Sequence, residues 1–195
     1  MNGIVSHSMR TKGVNYKINF GLTMPLLRRV AEQVPHTVEV ARMLWQDVGV
    51  RESLMLAPMV YPVHQLTIEE TQQWIAQMPN VEIADACCKF LFSQVPFASQ
   101  VIIEAIASDS PMTRYVGYRL AYALPAVDAS WLPIVAQKAI DEAHSNENIA
   151  AQAASRLLTE MLLQPMAGAI VVAQLEQASH IEKSWRENLM ALYEP

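Results

Sequence analysis

The side chains able to do chemistry in this chain are sparse, and their spacing excludes more than it permits. Cys87 and Cys88 are adjacent, and the five histidines, His7, His36, His64, His144 and His180, show no HxxxH or comparable cluster. Neighbouring cysteines on a helix point in different directions and no second pair stands at metal-ligand spacing, so no metal site is expected. The chain also lacks a glycine-rich phosphate loop, a nucleophile elbow and a Walker sequence, which removes most other enzyme classes. The basic residues carry more. Arg10, Lys12, Lys17, Arg28 and Arg29 all precede Glu32, the first acidic residue. An acid-free basic stretch neutralises phosphate, the interaction on which affinity for nucleic acid largely rests, although a merely solvated terminus has the same composition.

Further along, Asp85 has Lys89 four residues on, a spacing that an exposed helical ion pair explains as well as a working carboxylate does. Arg114 and Arg119 are five apart, which puts them on different parts of a helix surface, to bind or simply to be solvated. The whole chain carries a formal net charge of −5. That argues against a general nucleic-acid binder but leaves room for a local basic face.

The elements that position these residues are helices. Apolar residues recur at spacings of three and four, as in Leu27, Val30, Ala31 and Val34, or Val38, Ala41, Leu44 and Trp45, and strand alternation is almost absent. Pro35, Gly49, Pro62, Pro79, Pro96, Pro111, Pro125 and Pro165 divide the pattern into short segments. Several starts are chemically marked. Thr23 precedes Met24-Pro25, Asn80 precedes the segment with Asp85, and Asp109-Ser110-Pro111 and Asp128-Ala129-Ser130 offer further caps. Thr67-Ile68-Glu69-Glu70 reads as a capping box, in which the Glu70 carboxylate reaches back to the helix start. Trp45, Trp74, Trp131 and Trp185 are expected in the core. The C-terminal segment from Ile181 is expected to dock through Trp185, Leu189 and Leu192.

Short helices joined by tight turns make an all-α protein. Candidate pairs begin near Thr23, Val50, Asn80, Pro111 and Ser145, a loose period compatible with an α-solenoid of HEAT-like antiparallel helix pairs. A compact bundle is the alternative. At 195 residues the reading is a short basic N-terminal segment, 1–18, followed by a single domain, 19–195. Hydrophobic residues make up 52% of the chain, yet no stretch approaches the roughly 18 to 20 apolar residues that span a bilayer. Met1 to Lys17 lacks the apolar stretch of a signal peptide, and two adjacent cysteines form no disulfide framework, so the expectation is a cytoplasmic protein without a membrane partner.

The run Phe20-Gly21, Pro25, Leu27-Arg28, followed by the helix with Trp45, by Arg51-Glu52-Ser53, by Asn80-Val81-Glu82-Ile83-Ala84-Asp85 and by Tyr118-Arg119-Leu120-Ala121, resembles the AlkD-like DNA alkylation repair glycosylases. The likeness covers most of the chain in order, with a segment before Asn19 that is shorter than in typical members. It implies a solenoid that binds duplex DNA on a concave surface and hydrolyses the glycosidic bond of cationic alkylated purines, with no cofactor. Asp85 matches the position of the catalytic aspartate. Arg119 best matches the arginine that holds a DNA phosphate, with Arg114 nearby, and Arg28 and Arg29 extend the DNA-binding set. Val81 stands where the resemblance calls for an aromatic residue, and a second expected tryptophan falls near Ser155. A carboxylate and aromatic faces together stabilise the oxocarbenium character of the departing sugar. The expectation is therefore DNA binding with glycosylase activity weak, altered or lost. A fully active enzyme would need Tyr115, Tyr118 or Tyr122 to supply the rings, and a HEAT-like protein-interaction scaffold without DNA chemistry is the alternative.

Overall fold

A computed structural model describes residues 16–124, 130–145 and 147–193 of the chain. Arg10, Lys12, His7, Pro125 and the proposed cap at Asp128-Ala129 lie outside the described residues. Among the described residues the protein is all-α, with eleven α-helices and two 3-10 turns, and its one β-feature is an isolated parallel bridge between Ile18 and Val50. The chain divides between Val95 and Pro96 into two compact units. The first holds α1 (Met24–Ala31), α2 (Val38–Gln46), α3 (Arg51–Val60), α4 (Ile68–Ala76) and α5 (Val81–Phe90). The second holds α6 (Ala98–Ile106), α7 (Pro111–Ala123), α8 (Leu132–Ser145), α9 (Ile149–Leu162), α10 (Pro165–Gln177) and α11 (Lys183–Met190).

Local chemistry sets most helix starts. Thr37, Thr67, Asn80, Ser110 and Asn148 each accept a hydrogen bond from an open first-turn amide, each contact contributing about 1 kcal/mol. Pro25, Pro111 and Pro165 sit in first turns, where a missing amide costs nothing. Two starts differ from the expectation. Thr23 occupies the N-cap of α1 with extended backbone, but its exposed side chain makes no capping bond. The Thr67 box is half made: Thr67 accepts from the Glu70 amide, but the Glu70 carboxylate turns away to Arg42 Nε and Nη2, at 2.9 and 2.7 Å, and to the Tyr61 hydroxyl at 2.7 Å. A guanidinium fork is a stronger partner for a carboxylate than one backbone amide.

In the first unit α3 is the hub, packing on α1, α2 and α5. Trp45 of α2 stacks on Trp74 of α4 with ring centroids 4.2 Å apart, and Tyr61 meets Trp74 edge-on. Arg51 opens α3 and is 4% exposed. Its guanidinium donates to Glu82 of α5, to Glu52 and to the Leu22 carbonyl. Burial works to lower the Arg51 pKa, but Glu82 and Glu52 outweigh it and hold it above its ordinary value. Glu52 in turn accepts from the Phe20 and Leu22 amides, which brackets Gly21 at φ 70, a conformation that suits glycine. The chain before that turn is pinned as well. Ile18 exchanges backbone bonds with Gly49 and Arg51, and the Tyr16 hydroxyl donates to Glu82 at 3.0 Å.

In the second unit α6 packs on α7, α7 on α9, α8 on α9 and α10, and α10 on α9 and α11. Small residues permit these approaches. A Cβ on Gly117 would lie 2.7 Å from Ile106 Cγ2, so α6 and α7 touch where α7 has no side chain. Ala150, Ala151, Ala153 and Ala154 line the buried side of α9. Trp131 is buried, as are Trp45 and Trp74, whereas Trp185 is half-buried with its ring edge-on to His144. The C-terminal segment docks, with Arg186 donating to the Leu175 carbonyl and Gly168 leaving room for the Tyr193 ring. Leu192, expected in that interface, is instead 43% exposed.

Arg51→Met leaves Glu52 and Glu82 as buried or part-buried carboxylates without their counter-charge, and the expected loss of unfolding free energy in urea is about 3–5 kcal/mol. The Glu70 carboxyl gives a pH signature. Hydrogen bonds from Arg42, larger than the opposing effect of burial and helped by Tyr61, hold its pKa below the ordinary value. A carboxylate lowered on folding stabilises above its unfolded pKa of about 4.3 and loses that contribution as pH falls through the folded value. Arg42→Met should therefore lower the urea midpoint at neutral pH, and its gap from wild type should close as the solution is acidified below about pH 4.

Candidate nucleic-acid interface

Asp85 lies half-buried in the middle of α5. Asn80 caps that helix through the Ile83 amide at 3.1 Å, while Ile83, Ala84, Cys87 and Cys88 fill the core from its inner side. Burial pushes the Cys87 thiol well above its ordinary pKa, which makes it an inert packing group. Val81 opens α5, half-buried, so the position four residues before Asp85 offers an aliphatic side chain and no ring.

The run that starts α1 meets the helix of Asp85. Arg28 and Arg29 are exposed in the last turn of α1, a helix with no acidic residue. The Arg28 guanidinium stands 5.6 Å from the centroid of the Phe90 ring at the end of α5. The Lys89 ammonium stands 5.7 Å from the same ring. Phe90 is thus a single ring carrying two cations, an arrangement that sequence reading missed because the Arg28 contact joins residues far apart in the chain.

The second unit holds a similar cluster. Arg119, half-buried on α7, places its guanidinium 4.9 Å from the Tyr122 ring centroid, and Arg156, exposed on α9, places its own at 5.5 Å. Arg156 follows Ser155, which is exposed and donates to the Ala151 carbonyl within its own helix. Nothing in the linear pattern marks Arg156, since its relation to Tyr122 depends on the packing of α7 against α9. The other tyrosines differ. Tyr118 is 1% exposed, and its hydroxyl donates to the Lys138 carbonyl. Burial, followed by the Glu142 charge, pushes its pKa up.

Arg114 has a different occupation from Arg119. Its Nε and Nη2 donate to the two oxygens of Glu142 at 2.6 and 3.2 Å, and its Nη1 donates to the Ser108 and Asp109 carbonyls at 2.9 Å each. The Glu142 hydrogen bonds raise the Arg114 pKa above its ordinary value. The fork joins α7 to α8.

Among the described residues no group of histidine, cysteine and carboxylate side chains is arranged to hold a metal ion, and no single helix is long and apolar enough to cross a membrane. Compared with protein-family models, with curated proteins and with solved structures, the chain matches none.

Arg114→Gln should lower the unfolding free energy by roughly 3 kcal/mol, because it leaves the buried Glu142 carboxylate without its counter-charge. Combining it with Glu142→Gln should cost clearly less than the two single effects added together, and urea unfolding of the four proteins measures that coupling.

Proposed function

We propose that this chain is an α-solenoid of HEAT-like antiparallel helix pairs that binds duplex DNA through its phosphates. In this reading it is a divergent relative of the AlkD-like DNA alkylation repair glycosylases, acting in the cytoplasm, in which excision of alkylated purines is weak, altered or lost. The observation that carries the proposal is the meeting of Arg28 with α5: an exposed arginine from an acid-free helix is held over Phe90, on the helix that bears Asp85. A phosphate gripped by Arg28 and Arg29 would bring the neighbouring sugar toward the only carboxylate that the resemblance assigns to chemistry. Packing order supports the solenoid. Within the first unit α1, α3 and α5 stack in sequence, and within the second α7 packs on α9 and α6 and α10 each pack on α8, the rhythm of stacked pairs.

Asp85 supplies the anionic part of a site for an oxocarbenium-like sugar. Val81 withholds a ring that would be worth roughly 0.5–2 kcal/mol as a cation–π partner, and each 1.36 kcal/mol is about tenfold in rate. Binding thus outlasts excision. A second reading, a HEAT-like protein-interaction scaffold, is favoured by the net charge of −5 and by Leu163 and Met166, which stand 66% and 52% exposed at the turn from α9 to α10.

The test is binding to an unmodified duplex across a salt series. Affinity should fall steeply with salt, and Arg28→Gln with Arg29→Gln should flatten the slope by about 0.9 for each phosphate that is no longer neutralised. Absence of salt-sensitive binding would leave the scaffold reading in possession. Release of 7-methylguanine or 3-methyladenine from alkylated duplex should be slow or undetectable, and any release should vanish in Asp85→Asn.

A further inference from the structure

We infer that Lys89 is a second phosphate ligand beside Arg28, and that the two cations gathered at the Phe90 ring take neighbouring phosphates of one DNA strand. This rests on the reading of the chain as a DNA binder and assigns a role to a residue that neither the basic N-terminal stretch nor the resemblance includes. Sequence spacing offers Lys89 to Asp85, four residues earlier on α5, as an ion-pair partner. The structure gives it another contact. Its ammonium stands 5.7 Å from the Phe90 centroid, and among the described residues it pairs with no carboxylate. Arg28 and Arg29 make no ion pair among the described residues either, although Glu32 follows Arg28 by four residues at the C-cap of α1. All three cations are exposed. Elsewhere Arg42, Arg51, Arg114 and Lys183 each hold a carboxylate within 3.5 Å. Acidic residues outnumber basic ones in the chain by 19 to 14, so the cations at Phe90 are not unpaired for want of carboxylates.

The ring sets the spacing. Phe90 is half-buried, and α1 and α5 both pack on α3, so Arg28 and Lys89 are brought to it by rigid elements and not by a loop. With the two charges 5.6 and 5.7 Å from one centroid, their separation cannot exceed those contacts laid end to end. Phosphates of one strand follow each other every ~3.4 Å along the duplex axis, so the span holds more than one of them. The ring attracts each cation, but two cations at one ring repel each other, and an anion for each removes that repulsion. Arg28 presents a planar fork to one phosphate, and the Lys89 ammonium receives the next as a point charge with three donors. Contacts of this kind carry no sequence information. The ligand is therefore the phosphodiester backbone of a duplex of any sequence.

The experiment is binding of an unmodified duplex by the full chain across a salt series, for wild type, Lys89→Gln, Arg28→Gln, their double variant, Lys89→Arg and Lys138→Gln. The last removes an exposed cation from α8 in the second unit. Lys89→Gln should reduce the salt slope by about 0.9 and weaken binding alike on two unrelated sequences. The double variant should reduce it by about 1.8, because each cation serves a phosphate of its own. Lys89→Arg, which keeps the charge, and Lys138→Gln should both keep the wild-type slope, and equal melting temperatures show that the fold is intact. If wild type binds with a steep slope that Lys89→Gln leaves unchanged, the assignment of Lys89 is overturned and the DNA reading stands. A double variant no flatter than either single one overturns the pairing with neighbouring phosphates. If Lys138→Gln flattens the slope as much as Lys89→Gln does, charge lost anywhere has the same effect and the site at Phe90 is overturned. If wild type shows no salt-sensitive binding, the DNA reading itself falls and the assignment falls with it.

Discussion

One buried guanidinium joins three parts of the first unit that are far apart in the sequence. Arg51 donates to the Leu22 carbonyl before α1, to Glu52 beside it on α3, and to Glu82 in the first turn of α5 at 2.6 Å. Each carboxylate partner carries a further load. Glu52 takes the amides on either side of Gly21, and Glu82 takes the Tyr16 hydroxyl. The sharp turn at Gly21, the direction in which α1 leaves it and the seat of α5 on α3 thus depend on a single charge. A buried ion pair of this kind is weak as a source of net stability, because desolvation consumes most of the attraction. Its value here lies in geometry, since the five donors of a guanidinium fix the angles at which three segments can meet. Arg28 and Asp85 belong to helices positioned by this cluster, so the placement of the candidate site descends from it.

The fold was legible in the sequence wherever its determinants are local. A cap and the amide that it receives lie two or three residues apart, so Asn80 and Ser110 could be read directly, as could Pro111 and Pro165 in their first turns. Hydrophobic period did the rest, because a helix that buries one face announces it at spacings of three and four. What was not legible is where long side chains end. Glu70 fits the capping-box pattern, yet its carboxylate is taken by Arg42, 28 residues away, and Arg114 is taken by Glu142 at the same separation. For Glu70 the charge-assisted fork wins over the backbone amide nearby, and in neither case does sequence spacing carry a trace of the distant partner.

The candidate site was legible in the same partial way. Asp85 and Arg119 stand out through a resemblance, and Arg28 and Arg29 through the absence of neighbouring acids. The aromatic partners do not stand out, because Phe90 and Tyr122 acquire their meaning only from cations brought to them by other helices: Arg28 from α1 and Arg156 from α9. Arg156 in particular is an ordinary residue on an alanine-rich helix until α9 is laid against α7.

In the proposed reading, these rings also bear on why binding would outlast excision. A ring helps a glycosidic bond to break by presenting its electron-rich face to a cationic sugar. In this chain the Phe90 ring already holds Arg28 and Lys89, and the Tyr122 ring holds Arg119 and Arg156. A face that attracts the protein's own guanidinium is screened by it, and a carbocation approaching such a site meets like charge. The same two clusters attract the opposite charge. In the proposed reading, a ring that carries cations suits a phosphate better than a developing sugar cation. In that reading Asp85, on the helix that Arg28 reaches, favours a cation electrostatically, and Val81, four residues before it, supplies no ring.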